Sequence, residues 1–456
     1  MTAPSTECIA QGTLPFHPKL PIDVRFDAPE ISSDAGLLLL RQVDEQLGLT
    51  RGFAAHLPDD RDPGRIEHSR LEQTRQRVYL IAAGYEDAND SDQLRHDPLC
   101  KTVCERTPND LKGLSSQPTL SRFENAPNRR SVCRLTRWFE QSYCESLDPN
   151  QDVVILDIDT TDDPTHGHQQ LTFFHGFHDQ YMYHPVLVFD GISGQLITAI
   201  LRPGNRHPSR GAKGTLRRLI LSIRRRCPGA AIVVRADSGF CSPRVLRALE
   251  RLDREIGAVD YVFGMAKNKR LNRRLEPTMQ QARERRVGRE KVTLFTRFKY
   301  AAKSWERTRH VIGKAQITRQ GENPRYVITS LCEFPPDMIY RAYCERGRCE
   351  LWIKDLKNSL AADRLSCSRF LANAFRLLLH SLAYRLMHKL REIVAPLSEK
   401  LGVAQMGTLR LRLIRVAAMV TESTRRILVR LPRAFPEAAL FSTLLGVLAP
   451  APAAPS

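Results

Sequence analysis

Three stretches of this chain carry carboxylates where carboxylates can act together. Asp157 and Asp159 lie in "VVILDIDTT", Asp237 lies in "IVVRADSGF", and Glu350 lies in "YCERGRCELWIKDLK". The first two are apolar runs rich in β-branched residues, the mark of buried strands. Strand alternation puts Asp157 and Asp159 on one face and Ile158 on the other. Asp237 stands where its strand gives way to a Ser-Gly turn, and in α/β sheets sites gather at the carboxyl ends of strands. Carboxylates brought together repel one another unless cations neutralise them. Hard divalent ions with oxygen ligands do so, Mg²⁺ above all. Two such ions about 3.5–4 Å apart suit in-line attack at a phosphodiester, with the acids as ligands rather than proton carriers.

The stretch around Glu350 has the pattern of a helix. At about 100° per residue, Tyr343, Arg346, Glu350 and Lys357 fall within roughly 60° of arc. Cys349, Trp352, Ile353, Leu356 and Leu360 gather on the opposite side. One side can pack; the other offers a tyrosine, a carboxylate and two cations. The plain alternative is a solvated face held by salt bridges.

The whole chain favours a polyanionic partner. Its 456 residues carry 69 Lys and Arg against 50 Asp and Glu, a formal charge of +19. An excess of that size points to nucleic acid, with an anionic membrane surface as the weaker option. No apolar run reaches the 18 residues of a membrane-spanning helix, and "MTAPSTECIAQGTLPF" lacks the basic and apolar regions of a secretory signal. Eleven cysteines with no CxxC pair suit reduced thiols in the cytosol. The densest basic stretch, "RPGNRHPSRGAKGTLRRLILSIRRR", has nine Lys and Arg and no acid. It lacks the P-loop spacing, and phosphate-backbone contact through residues such as Arg210 and Lys213 fits it better. Five of the 13 histidines (His166, His168, His175, His178 and His184) fall in "THGHQQLTFFHGFHDQYMYH". Zinc binding is one reading of them; a hairpin near DNA, with histidines as donors or surface groups, is the preferred one. Cys241 has no evident partner, and "ADSGF" is not the G-x-S-x-G of a serine nucleophile.

The elements that would position these groups can be followed along the sequence. Residues 1–148 have helical patterning, including "TLSRF", which suits either a DNA groove or a packing role. From 152 the order is strand, strand, strand, helix, strand, helix, strand, which makes a mixed α/β sheet. Residues 267–309 hold 15 Lys and Arg against 4 Glu, and "KVTLFTRFKY" and "RYVITSL" have strand character. A basic, β-rich insertion over 267–335 is expected, its one tryptophan, Trp305, packed. After the acidic helix, which starts near Pro336, "SRFLANAFRLLLHSLAYRLMHKL" and "TLRLRLIRVAAMVTES" are expected as amphipathic helices, and "GVLAPAPAAPS" as a loose tail.

Together these pieces resemble a known family. The helix fits Y-x2-R-x3-E-x6-K with Tyr343, Arg346, Glu350 and Lys357, and so resembles the YREK signature of DDE transposases of bacterial insertion sequences, the insertion-sequence-1380 group in particular. "LDIDTT" resembles the family's first-aspartate strand, in which the acid directly precedes a small residue and Thr; this selects Asp159 over Asp157. "VRADSGF" resembles the second, and gives Asp237. The resemblance covers roughly 150–360. It implies an RNase H-like catalytic core over 149–266 and 336–395, in which the strands of Asp159 and Asp237 lie side by side and the helix brings Glu350 to them. The 112 residues between Asp237 and Glu350 would hold the β-rich insertion. The helical region 1–148 would bind DNA ends, and 396–456, also helical, would serve dimerisation. The implied function is binding of terminal inverted repeats, cleavage, and joining to target double-stranded DNA by a homodimer in the bacterial cytoplasm, nucleoid-associated and with no membrane partner. Asp159, Asp237 and Glu350 would hold two Mg²⁺, with Mn²⁺ as a substitute. Tyr343, Arg346 and Lys357 would grip the DNA backbone. The alternatives are a decayed, non-catalytic DNA-binding protein and a related nuclease that cuts without joining.

Overall fold

A computed structural model of the chain describes residues 12–14, 16, 18–20, 22–25, 27–287 and 290–449. Most of the N-terminal stretch examined for a signal, and the last seven residues of the tail, lie outside them. At the centre is a nine-stranded mixed sheet. Its strands are β1 (Val153–Thr160), β2 (Val186–Asp190), β3 (Leu196–Ile200), β4 (Ala231–Ala236), β5 (Val259–Met265), β6 (Val292–Tyr300), β7 (Arg309–Thr318) and β8 (Arg325–Thr329), with the two-residue strand Gly321–Glu322 beside β7. The order is β6-β7-β8-β5-β4-β1-β2-β3. Strands β1, β4 and β5 run parallel, and β2 is antiparallel to both of its neighbours. The two aspartate strands are therefore adjacent, as the resemblance implies.

Period-two alternation builds two cores from one sheet. Val154, Leu156 and Ile158 of β1, Val186 and Val188 of β2, and Val234 and Ala236 of β4 point to one side. There they meet helices α3 (Ala212–Arg226), α4 (Pro243–Ile256) and α5 (Lys269–Glu284), through Leu216 and Leu219, Leu246 and Leu249, and Leu271 and Leu275. Leu187 and Phe189 point the other way, into a core shared with α1 (Arg70–Ala83), α2 (Arg129–Ser146) and α8 (Phe370–Val394). Phe189 is fully buried between Trp352 and Tyr384, with ring centroids 5.6 and 5.8 Å away. The N-terminal helices thus share an apolar core with the long helix α8 and the sheet.

The structure adds detail to some expectations and corrects one. In residues 267–335 the strands β6, β7 and β8 extend the central sheet, and the segment opens with a helix not foreseen, α5. The signal for α5 was present in Leu271, Leu275, Met279 and Ala282, at helical spacing, but heavy charge and the internal Pro277 concealed it. Strand β7 was also missed, because Gly313 and Lys314 interrupt its apolar run; a Cβ at Gly313 would lie 2.7 Å from Leu275 Cδ1. Finally, "TLRLRLIRVAAMVTES" is no single helix. It forms the short helix Met406–Leu409, a wide turn Arg410–Ile414 and the strand Ala418–Glu422, which pairs with Ile31–Ser32 and Ile427–Arg430. Two of its arginines serve the neighbouring helix: Arg410 and Arg415 donate to the Ala82 and Ala83 carbonyls, at the open end of α1.

Phe189→Ala should remove a filled volume under the acidic helix and lower the urea-unfolding midpoint by the equivalent of about 3–5 kcal/mol.

Candidate active site

Strand register brings the two aspartates together. Ala236 of β4 pairs in parallel with Ile158 of β1, and one step further along stand Asp237 and Asp159. Alternation turns Asp157, Asp159, Arg235 and Asp237 away from the α3–α5 side and towards the acidic helix.

Asp157 is already engaged. It is fully buried, and Arg235 donates to it through Nε at 2.7 Å and Nη2 at 2.6 Å. The same guanidinium donates to the carbonyl of Ala342, 2.8 Å away, near the end of helix α6 (Pro336–Cys344). Asp157 and Arg235 therefore tie that helix to the sheet. Asp159 is at the open strand end. Its Oδ1 accepts from the Thr160 N–H at 2.8 Å, and its Oδ2 accepts from Arg346 Nη1 at 2.7 Å. Burial pushes its carboxyl up to about 6, against the pull of Arg346 and with the added repulsion of Asp237. Asp237 accepts from the Gly239 N–H at 3.0 Å, which shapes the turn after β4.

The acidic helix is not one continuous cylinder. Helix α6 ends at Cys344, and α7 (Gly347–Lys354) begins after Glu345 and Arg346. Across this break the Arg346 N–H reaches Tyr343 and the Cys349 N–H reaches Arg346, three residues back instead of four. Asp355–Ser359 then forms a π turn, with the Asp355 carboxylate held by Arg391 at 2.7 Å and by the Met406 N–H at 2.9 Å. The simple wheel is therefore distorted at both places. Its apolar side is confirmed: Cys349, Trp352, Ile353, Leu356 and Leu360 are buried. On the polar side Arg346 lies against Tyr343 and beside Glu350. Glu350 has 62% of its side chain exposed, and its carboxylate is 3.8 Å from Arg346 Nη2. Lys357, carried on the π turn, pairs with Asp162 at 2.7 Å and Asp363 at 3.7 Å.

Tyr343 lies over Gly264 of β5. A Cβ at Gly264 would stand 2.4 Å from the Tyr343 hydroxyl and 3.2 Å from the Ser238 nitrogen. Glycine is needed there to let the tyrosine approach the Asp237 turn. Arg210 and Lys213 are exposed at the start of α3, and Pro208 of the same loop packs 3.0 Å from the Cβ position of Gly239. Of the five histidines, His175, His178 and His184 cluster with ring centroids 4.9–6.0 Å apart. His184 is buried with Nδ1 2.8 Å from the Arg206 carbonyl, and burial lowers its pKa to about 4. Trp305 is packed edge-on against Tyr300 and beneath Arg309. Burial pushes the Cys241 thiol up to about 12, which disfavours a thiolate there.

Sequence reasoning missed two features. One is the Arg235 tie, whose signal was an arginine inside an otherwise apolar strand. The other is Asp163, buried with neither carboxylate oxygen hydrogen-bonded, its pKa raised by burial and by Asp363.

The fit to a divalent ion is partial. Asp159 and Asp237 provide adjacent oxygen donors at a desolvated strand end, the chemistry that Mg²⁺ prefers. Glu350 does not join them in this arrangement: among the described residues, no group of three or more His, Cys, Asp or Glu side chains could hold a metal ion.

Comparison with known proteins places this geometry in context. A family model described as transposase DDE domain, group 1, matches residues 15–453. The chain belongs to that family. No curated protein matches it. Among solved structures it is similar to a piggyBac transposase synaptic complex with hairpin DNA, at 12% identity and a TM-score of 0.46, over 84% of this chain and 79% of that one. As a member of a transposase family the chain has an expected need for acidic residues, and two of the three candidates are adjacent.

Two predictions separate the aspartates. Asp157→Asn breaks a buried ion pair and should cost about 3–5 kcal/mol in urea unfolding. Asp159 is held by a single side-chain bond, from Arg346, and its titration can be followed. Its folded pKa lies above the usual value, so the folded protein binds the extra proton and loses stability as pH rises from about 4 to about 6. Asp159→Asn should therefore melt above the parent at pH 8, by roughly 2–3 kcal/mol, with the gain shrinking towards pH 4. Gly264→Ala should cost about 1–3 kcal/mol, and adding Tyr343→Phe should recover part of it.

Proposed function

We propose that this chain is a cut-and-paste transposase that binds the terminal inverted repeats of a bacterial insertion sequence, cleaves the DNA ends and joins them to target DNA. The observation that carries this reading is the adjacency of Asp159 and Asp237 at the ends of parallel strands, with the helix of Glu350 packed across the same face. Asp159, Asp237 and Glu350 would hold two Mg²⁺, or Mn²⁺ in their place. When bound, the ions would supply a polarised nucleophile and stabilisation of the leaving oxygen at the phosphodiester. The remaining work falls to the chain's own groups. Asp157 and Arg235 hold the acidic helix on the sheet. Tyr343, packed on Gly264, and Arg346 stand beside the aspartates, where a DNA backbone would pass, and arginine suits bidentate phosphate contact. Lys357, Arg210 and Lys213 would add further phosphate contacts. A homodimer pairing two ends, in the bacterial cytoplasm with the nucleoid, completes the reading. Among the described residues no helix is long and apolar enough to cross a membrane.

The direct assay uses a duplex carrying the DNA that flanks this coding sequence, with Mg²⁺. The parent should nick it and, with target DNA added, give joined products. Glu350→Gln should lose at least about 10²-fold in nicking, since even outer-shell partners of metal ligands are worth 10–100-fold. Binding without nicking by the parent would support the decayed protein, and nicking without joining would support a nuclease. In a salt titration of DNA binding, Arg210→Ala with Lys213→Ala should reduce the slope of log K against log salt by about 2, one for each lost phosphate contact.

A further inference from the structure

We propose that Arg346 gates the acidic site: its guanidinium holds Asp159 and Glu350 in the arrangement of the free protein and releases both when a DNA phosphate takes its place. This rests on the reading of Asp159, Asp237 and Glu350 as metal ligands.

The gate is built from contacts on three sides. Arg346 Nη1 donates to Asp159 Oδ2 at 2.7 Å, while the Thr160 N–H occupies Oδ1 of the same carboxylate. Nη2 is 3.8 Å from Glu350 Oε1. The guanidinium carbon lies 6.0 Å from the centre of the Tyr343 ring, and only 14% of the side chain is exposed. One cation thus joins the acid on the sheet to the acid on the helix. A divalent ion at Asp159 would stand beside this fixed positive charge and be repelled by it. Glu350, tethered to the same group, stays turned towards solvent.

The gate sits where the helix is least continuous. Arg346 lies between α6 and α7, outside both, and Gly347 follows it. A reorientation there need not disturb α6, held by the Arg235–Ala342 bond, or the apolar back of α7, held by Trp352. A phosphate offers arginine a planar, doubly charged-assisted contact at least as good as its present single bond to Asp159. The exposed Arg210 and Lys213 sit in the segment that borders the Asp237 turn and would help lead a DNA backbone there. If phosphate displaces the guanidinium, DNA and metal must each raise the other's affinity by the same factor. Free protein would then bind divalent ions weakly and assemble its cutting centre only on DNA.

The test is Mn²⁺ affinity, followed by electron paramagnetic resonance on the full chain at constant pH, with and without a short blunt duplex whose own Mn²⁺ binding is subtracted. The duplex should tighten Mn²⁺ binding by the parent roughly 5- to 150-fold, the usual range of such coupling. Arg346→Gln should bind Mn²⁺ without DNA about as tightly as the parent does with it, and gain little from the duplex. Arg346→Lys keeps the charge and should stay weak without DNA; melting curves check that both variants fold. If Arg346→Gln binds no tighter than the free parent while Asp237→Asn abolishes binding, the gate is wrong and the metal site stands. If Mn²⁺ binding survives Asp237→Asn unchanged, the site assignment fails and the gate with it.

Discussion

The arrangement depends on one electrostatic problem: two aspartates placed side by side at the end of a sheet that water barely reaches. Register fixes their proximity, one step past Ile158 and Ala236. Burial, with the added repulsion of Asp237, disfavours the charge on Asp159 and pushes its carboxyl up to about 6. A site of this kind persists only if the surrounding fold tolerates the cost and some cation relieves it. Here the cation is Arg346, and the surroundings are two apolar cores that fix the strands from both faces.

The acidic helix shows how packing and chemistry are divided. Trp352 and its neighbours carry its burial, and the Asp157–Arg235 pair ties α6 to the sheet through the Ala342 carbonyl. The polar side is interrupted by the break at Glu345–Arg346 and the π turn at Asp355–Ser359. π turns recur at functional sites, where they re-aim a side chain; this one carries Lys357 to Asp162.

Much of this was legible in the sequence, and particular residues explain where it was not. The strands of Asp159 and Asp237 stood out because buried strands are continuous apolar runs, and an acid within one is conspicuous. The Asp157–Arg235 pair was not legible, because its two partners lie 78 residues apart along the chain. The helical wheel predicted the buried side correctly, because apolar spacing reports directly on burial. It could not foresee the π turn that carries Lys357, which is set by tertiary partners of Asp355 such as Arg391 and Met406 that the local sequence does not contain. Residues 406–422 failed for the same reason: Arg410 and Arg415 complete the end of α1, which is distant along the chain.

The central claim is that Asp159, Asp237 and Glu350 form one metal-holding centre when DNA is bound. Anomalous scattering from Mn²⁺ in crystals of the chain with a DNA end tests it directly. The account predicts two peaks about 3.5–4 Å apart among these three carboxylates, with Arg346 moved from Asp159 to a phosphate. Peaks elsewhere, or an Arg346–Asp159 pair intact beside bound DNA, would contradict it.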